Sequence, residues 1–252
     1  MNDKTTGSGD QADRYELHKI WWLYLPVLFF CLRYTIALFT NATTGLESWF
    51  RHELGVIENL TVVLLVIALF YTVRLIVAHG NSLDLLFKAF LVLYCLGCIY
   101  FAGEEASWGQ HWFGWQTSEY FQGINDQNET NFHNTAVWLD RVPKGIVSLL
   151  IFIGGIVIPV LFCIKSWKID YRGRFWWLYP TLVCTPTAIL ATTTTWPSKI
   201  ERHSGWDFYF QQAQETKELY IAFFILLFVV SLSRRMPLAY GPAPGVSANN
   251  NV

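Results

Sequence analysis

The residues best suited to chemistry in this chain are carboxylates and histidines that lie beside long apolar segments. They are Glu104, Glu105, His111, His133, Glu215 and Glu218. Carboxyl and imidazole groups serve as general acids and bases, and both also bind divalent metals. The chemistry to consider is therefore proton transfer or metal-assisted catalysis.

Glu104 and Glu105 are the central pair because of their place on a predicted helix. They follow an apolar segment and lie at its carboxyl end, where the helix dipole disfavours negative charge. No Lys or Arg occurs between Glu105 and Arg141, so compensation must come from another helix, a histidine or a metal. We therefore predict one catalytic constellation. Its members are Glu104, Glu105, His111 and His133, joined by at least one of Glu215 and Glu218.

A metal site is a second interpretation of the same residues. The chain has no H-x-x-x-H, H-E-x-x-H or E-x-x-H motif, so the ligands would have to come from several helices. If the helix continues past Glu105, then Glu104, Ser107 or Trp108, and His111 share one stripe, with Glu104 and His111 about 10 Å apart. Oxygen ligands suit Mg²⁺, Ca²⁺ or Mn²⁺, and histidine admits Zn²⁺. The predicted ligands are Glu105, His133, Glu215 and Glu218.

Arg33 adds a cation inside the first apolar segment. It lies about 10 Å from the outer end of that segment at 1.5 Å per residue, where an ionisable group is costly and is a candidate for function. We predict that Arg33 pairs with Glu58 or with one of Glu104 and Glu105. Glu58, like Glu215 and Glu218, begins a predicted helix, so a role in capping that helix is equally compatible with its position.

The elements that must position these groups are apolar helices. Of the 252 residues, 53% are hydrophobic and 15% are charged, which is too apolar for a soluble domain. The apolar residues form segments of roughly 20, the length that crosses a bilayer of about 30 Å as a helix. The sequence predicts an all-α polytopic transmembrane bundle of about six spans. They are placed at about 20–40, 56–78, 84–103, 144–164, 175–192 and 216–233.

The distribution of Lys and Arg predicts the orientation of these spans. Inner connections carry an excess of positive residues, and with the amino terminus inside, the outer connections hold few of them. Those few are Arg51, Arg141, Lys144, Lys199, Arg202 and Lys217. Both termini are therefore predicted to be cytoplasmic. We expect disordered tails at 1–18 and 236–252, and a membrane domain at 19–235 with an outer loop at 104–143.

The segment after the third span carries a recognisable motif. It reads Gly103-Glu104-Glu105-Ala106-Ser107-Trp108-Gly109-Gln110 and is followed by a polar stretch that ends in His133-Asn134. This pattern resembles the G-E-E-x-S-W-G-Q … H-N signature of a poorly characterised group of bacterial multi-pass membrane proteins. The similarity is most specific over 103–134 and weaker over 53–63 and 215–219. It implies a bacterial inner-membrane protein and carries no assigned reaction.

Three functions are compatible with these features. The first is an enzyme that acts on a lipid or lipid-linked substrate at the outer face, using the Glu and His residues. The second is an accessory subunit that docks another membrane protein through loop 104–143. The third is a transporter or ion-handling protein that uses Arg33 and the outer glutamates. A near-neutral net charge of -1 without a basic tract excludes nucleic acid as a partner.

The predicted orientation can be tested by labelling. Tags at both termini should be inaccessible from the outer side of intact cells. A cysteine placed in the 117–130 segment should react with a membrane-impermeant thiol reagent, because the positive-residue asymmetry puts this loop outside. Labelling of that segment only after the inner face is exposed would reverse the orientation.

Overall fold

All regular secondary structure in the described part of the chain is helical. The computed structural model describes residues 17–39, 55–124, 130–132, 135, 137–167, 169–171, 173–204 and 213–240. The all-α prediction is confirmed within these ranges. The predicted tails lie mostly outside them, although the last helix continues past the predicted boundary at 235 to Tyr240.

Three long helices occupy the first part of the chain. A π-helical turn, Ile20–Tyr24, leads into α1, Leu25–Phe39. Helix α2, Val56–His79, is followed by α3, Leu85–Glu105, whose first turn is capped by the Asp84 side chain. These helices form because their apolar residues have no polar or proline interruption long enough to stop the backbone hydrogen-bond pattern.

Shorter and interrupted helices follow α3. A 3₁₀ turn at Ser107–Gly109 precedes α4, Gln110–Phe113, and α5, Glu119–Ile124. A continuous helical segment follows, which consists of α6, α7 and the π-helical turn between them. Its parts are Val137–Phe152, Ile153–Val157 and Ile158–Lys165. The remaining helices are α8, Thr185–Thr193, α9, Trp196–Ser204, and α10, Ala213–Tyr240.

In the described part of the chain, four helices are long and apolar enough to cross a membrane. Their 18-residue windows have mean hydropathies between 1.8 and 2.9. A shorter apolar helix covers Ile20–Ile36. The four long ones are Val56–His79, Leu85–Glu105, Arg141–Lys165 and Ala213–Tyr240. These helices are compatible with a membrane-embedded protein, whereas the count of about six spans and the cytoplasmic termini stay predictions.

The segment predicted as the fifth span, 175–192, does not form one long helix. It contains two 3₁₀ turns, Trp176–Leu178 and Leu182–Cys184, before α8 begins. Pro180 explains the interruption, because a residue before proline avoids the helical region, and Tyr179 accordingly has extended backbone angles of φ -88° and ψ 110°. The nine residues of α8 rise about 14 Å, roughly half the thickness of a hydrocarbon core.

Helix α10 is the centre of the bundle. Within its most apolar window 67% of the residues are buried, against 17% to 39% in the other three long helices. It packs along α2 and α8, and α2 in turn packs along α3. The carboxyl end of α3 and the amino end of α10 meet, because Glu105 and Glu218 are in contact there. We call this end of the bundle the Glu105 end.

The interrupted segment is held by polar groups of α10 near the opposite end. Arg235 is buried, and its Nη1 donates to the carbonyl oxygen of Tyr179 at 3.1 Å. The hydroxyls of Thr181 and Ser231 share a hydrogen bond of 3.0 Å. Trp177 stacks on Phe87 of α3 with ring centroids 4.9 Å apart. The protein thus supplies a hydrogen-bond donor to a carbonyl oxygen of the extended backbone, which lipid could not supply.

Gly155 provides a test of this packing. A Cβ at Gly155 would lie 2.5 Å from the Cβ of Ala188 and 2.6 Å from the ring of Phe224. The π-helical turn between α6 and α7 therefore packs closely against α8 and α10 at this position. We expect Gly155→Ala to destabilise the protein by about 1–3 kcal/mol through overpacking. Gly97→Ala is the matched control, because a Cβ at Gly97 meets no atom within 4 Å. Thermal unfolding in detergent measures both variants, and equal melting temperatures would contradict the packing.

Candidate functional site

Glu104 and Glu105, although adjacent, have different surroundings. Glu104 is buried, and its Oε1 accepts a hydrogen bond from the indole Nε1 of Trp108 at 2.8 Å. Its Oε2 accepts one from the backbone nitrogen of Phe132, also at 2.8 Å. Each carboxylate oxygen of Glu104 thus has a donor from the loop that follows α3. Glu104 therefore fixes that loop to the end of the helix.

The backbone reverses its course immediately after Glu105. Ser107 and Trp108 have positive φ angles of 44° and 53°, and Gly109 has a φ of 95°. Such angles are costly for residues with a Cβ, so the surrounding contacts must hold them. The Trp108 ring packs on Gly103, where a Cβ would lie 2.9 Å from the ring. The stripe expected along a continued helix is therefore wrong, because α3 ends before Ser107.

The returning part of the loop lies antiparallel to this turn. Asn131, which is fully buried, donates through Nδ2 to Ser107 Oγ at 3.2 Å. The backbone nitrogen of Thr130 donates to Gln110 Oε1 at 2.7 Å. The hydroxyls of Thr130 and Thr117 are 3.2 Å apart. Most polar residues of the G-E-E-x-S-W-G-Q motif therefore hold the loop in place.

Glu105 instead faces the first turns of α10. Its carboxyl group is in hydrogen-bond contact with that of Glu218. Lys144 on α6 contacts Glu218 as well, with Nζ 2.7 Å from Oε1. Gln214 Nε2 donates to the same oxygen at 3.1 Å. We call Glu105 and Glu218 the carboxyl pair, and it joins α3, α6 and α10.

Further charges surround the carboxyl pair. Glu58, in the first turn of α2, acts electrostatically on Glu105, and Glu215 interacts with Glu218. Arg33 is only 3% exposed, and its charge acts on Glu215. The predicted pairing of Arg33 with Glu58, Glu104 or Glu105 stays a prediction.

The predicted constellation is brought together only in part. Glu105 and Glu218 meet, whereas Glu104 is turned to the loop. His133 lies outside the described residues, as does the side chain of His111, whose backbone belongs to α4. The catalytic roles of both histidines therefore stay predictions.

The predicted metal site lies partly outside the described residues. Among the described residues, no group of three or more His, Cys, Asp or Glu side chains is placed to hold a metal ion. One predicted ligand, His133, lies outside the described residues. A site formed by Glu105, His133, Glu215 and Glu218 stays a prediction.

Sequence reasoning missed two residues of this site, Lys144 and Gln214. Both contact Glu218 Oε1. A signal for Lys144 exists in the sequence, because it is one of few cations on the predicted outer side and begins the fourth predicted span. Gln214 has no comparable signal, since it is a neutral residue one turn before Glu218.

Comparison of the whole chain with protein-family models, curated proteins and solved structures gives no match. The candidate site therefore rests on its own geometry.

The role of Glu104 can be tested by removing one acceptor. In Glu104→Gln an amide nitrogen replaces a carboxylate oxygen and faces an N–H donor of Trp108 or Phe132. We expect a loss of about 1.5–3 kcal/mol in unfolding free energy, as for a hydrogen bond to a charged group. Glu119→Gln on α5 is the control, because Glu119 is exposed and should change stability by less than about 0.5 kcal/mol. Chemical unfolding in detergent measures both, and equal stabilities would show that Glu104 does not anchor the loop.

Proposed function

We propose that the chain is an integral protein of a bacterial inner membrane and that the carboxyl pair is an acid–base site for a lipid or lipid-linked substrate. The observation that carries this proposal is the contact of Glu105 with Glu218, together with the 2.7 Å contact of Glu218 with Lys144. Carboxyl groups at an apolar helix end are costly unless they have partners, and ionisable groups in such places concentrate at functional sites.

The pair has the features that acid–base catalysis needs. One member can act as an acid that donates a proton to a leaving oxygen, while the other accepts a proton from an attacking water or hydroxyl. We assign the base to Glu218, because it faces the Lys144 ammonium group, and the acid to Glu105. In this proposal Glu104 positions the loop, and His111 and His133 remain candidates for further proton transfer.

The surroundings of the pair favour a substrate at the membrane surface. The loop after α3 exposes several large aromatic residues, a composition typical of the headgroup region of a bilayer. They include Trp108, Trp112, Trp115 and Tyr120. Trp112 is also tied to the start of α2, because its Nε1 donates to Asn59 Oδ1 at 3.1 Å. An interfacial loop of this kind suits a lipid or a lipid-linked substrate.

A second candidate function is ion handling. Arg33 is buried at 3% exposure and acts on Glu215, which is itself close to the carboxyl pair. Charged groups inside a bundle of spans mark ion and proton pathways in many membrane proteins. Under this alternative the pair would carry a proton or a cation without changing a lipid. Docking of a partner through loop 104–143 remains the third alternative.

Turnover of membrane lipids distinguishes these functions. The purified chain is reconstituted in vesicles of bacterial polar lipids, and lipid composition is followed by mass spectrometry. We expect a time-dependent change in one lipid class with the unaltered protein, and a rate lower by about 100-fold or more in Glu105→Gln and in Glu218→Gln. Each variant must keep its melting transition, and Glu119→Gln should retain the full rate.

Two results would contradict the proposal. One is turnover that proceeds equally in the Glu105→Gln and Glu218→Gln variants. The other is the absence of any lipid change with folded protein, which would favour ion handling or docking. Proton uptake measured with a dye inside the same vesicles then separates these two alternatives.

A further inference from the structure

A cavity of about 180 Å³ lies between α6, the α8–α9 region and α10. Its floor is formed by Ile151, Ala191 and Ile221, which are exposed by 3%, 3% and 2%. Its mouth is formed by Trp196, Lys199 and Lys217, of which Trp196 is 53% exposed. The cavity therefore has an apolar floor, hydroxyl-bearing walls and two lysines at its opening.

The two lysines at the mouth favour an anionic ligand. Lys144 and Arg33 are the cations that act on Glu105 and Glu215. Lys199 and Lys217 both line the cavity, so two positively charged residues border the space that a ligand would occupy. An ammonium group attracts a phosphate as a compact point charge with up to three donors.

The walls favour a ligand that also carries hydroxyl groups. Ser148 and Thr192 line the cavity, but their hydroxyls already donate to backbone oxygens of their own helices. Ser148 Oγ donates to the carbonyl oxygen of Lys144 at 2.6 Å, and Thr192 Oγ1 to that of Ala188 at 2.8 Å. Each hydroxyl oxygen can still accept a hydrogen bond. The walls thus offer acceptors to a ligand, and the mouth offers cationic donors.

The size and location of the cavity further restrict the range of ligands that could bind in it. Liquid water occupies about 30 Å³ per molecule, so the cavity has room for roughly six waters or for one phosphate with a short polyol. Trp196 at the mouth is the residue type that lies at the headgroup level of a bilayer. A lipid headgroup that carries a phosphate and free hydroxyls meets all these conditions.

We propose that this cavity binds a phosphate ester of a small polyol, such as the phosphoglycerol headgroup of an anionic lipid. The site is separate from the carboxyl pair and requires no turnover, so it goes beyond the proposed function. The same chemistry is present in a soluble polyol phosphate, and the experiment distinguishes the two sources.

Native mass spectrometry of the purified chain in detergent provides the test. The protein is titrated with phosphatidylglycerol, with phosphatidylcholine as the zwitterionic comparison. We expect phosphatidylglycerol to bind more tightly than phosphatidylcholine. Lys199→Gln and Lys217→Gln should each lower the affinity for phosphatidylglycerol by about fivefold, which is the contribution of one lysine that faces an anionic lipid. Lys165→Gln is the control, because Lys165 is exposed at the end of α7 and does not line the cavity.

A second variant tests the hydroxyl acceptors. Thr192→Val removes the acceptor at nearly constant volume, so it should weaken the binding of phosphatidylglycerol. The binding of phosphatidic acid should not change, because its headgroup has no hydroxyl.

Glycerol 3-phosphate, added to the lipid-bound protein, shows whether the ligand comes from the membrane or from solution. Displacement at equal concentration indicates a soluble ligand, and retention of the lipid indicates a membrane ligand.

The proposal is overturned if phosphatidylglycerol binds no more tightly than phosphatidylcholine. It is also overturned if the Lys199→Gln and Lys217→Gln variants bind it as the unaltered protein does. Either result leaves the proposed function untouched, because lipid turnover at the carboxyl pair is measured separately.

Discussion

The contacts that buried polar groups make within this apolar helical bundle fix both of its ends. At the Glu105 end, Glu104 is satisfied by an indole and a backbone nitrogen, while Glu218 is satisfied by Lys144 and Gln214. Near the other end, Arg235 donates to the carbonyl oxygen of Tyr179. Lipid supplies no such partners, so each of these contacts also fixes the position of a helix or loop.

The two adjacent glutamates show how one helix end serves two purposes. Consecutive helical residues point about 100° apart, so Glu104 and Glu105 cannot face the same neighbour. Glu104 holds a turn with unfavourable positive φ angles at Ser107 and Trp108. Glu105 instead meets Glu218 in the first turns of α10. The loop that Glu104 holds therefore lies beside the carboxyl pair.

The charges at this end also divide into two groups. Lys144 and Arg33 act on the glutamates, whereas Lys199 and Lys217 line the neighbouring cavity. Ser148 connects the groups, because it lines the cavity and donates to the backbone of Lys144 one turn earlier. The cavity therefore lies within one helical turn of the lysine that contacts Glu218.

The sequence by itself determined the helical class, the positions of the long apolar helices and the presence of two carboxylates at the end of one of them. These properties are local, because segment length, hydropathy and the cost of a carboxylate at a helix end depend on neighbouring residues. Only the tertiary structure decided that Glu104 anchors the loop, that Glu105 meets Glu218, and that Lys144 completes the pair. It also revealed the interruption at Pro180, which average hydropathy over 175–192 conceals. Contacts between helices distant in sequence depend on how those helices rotate and pack against α10, and a pattern within one segment carries no information on that rotation.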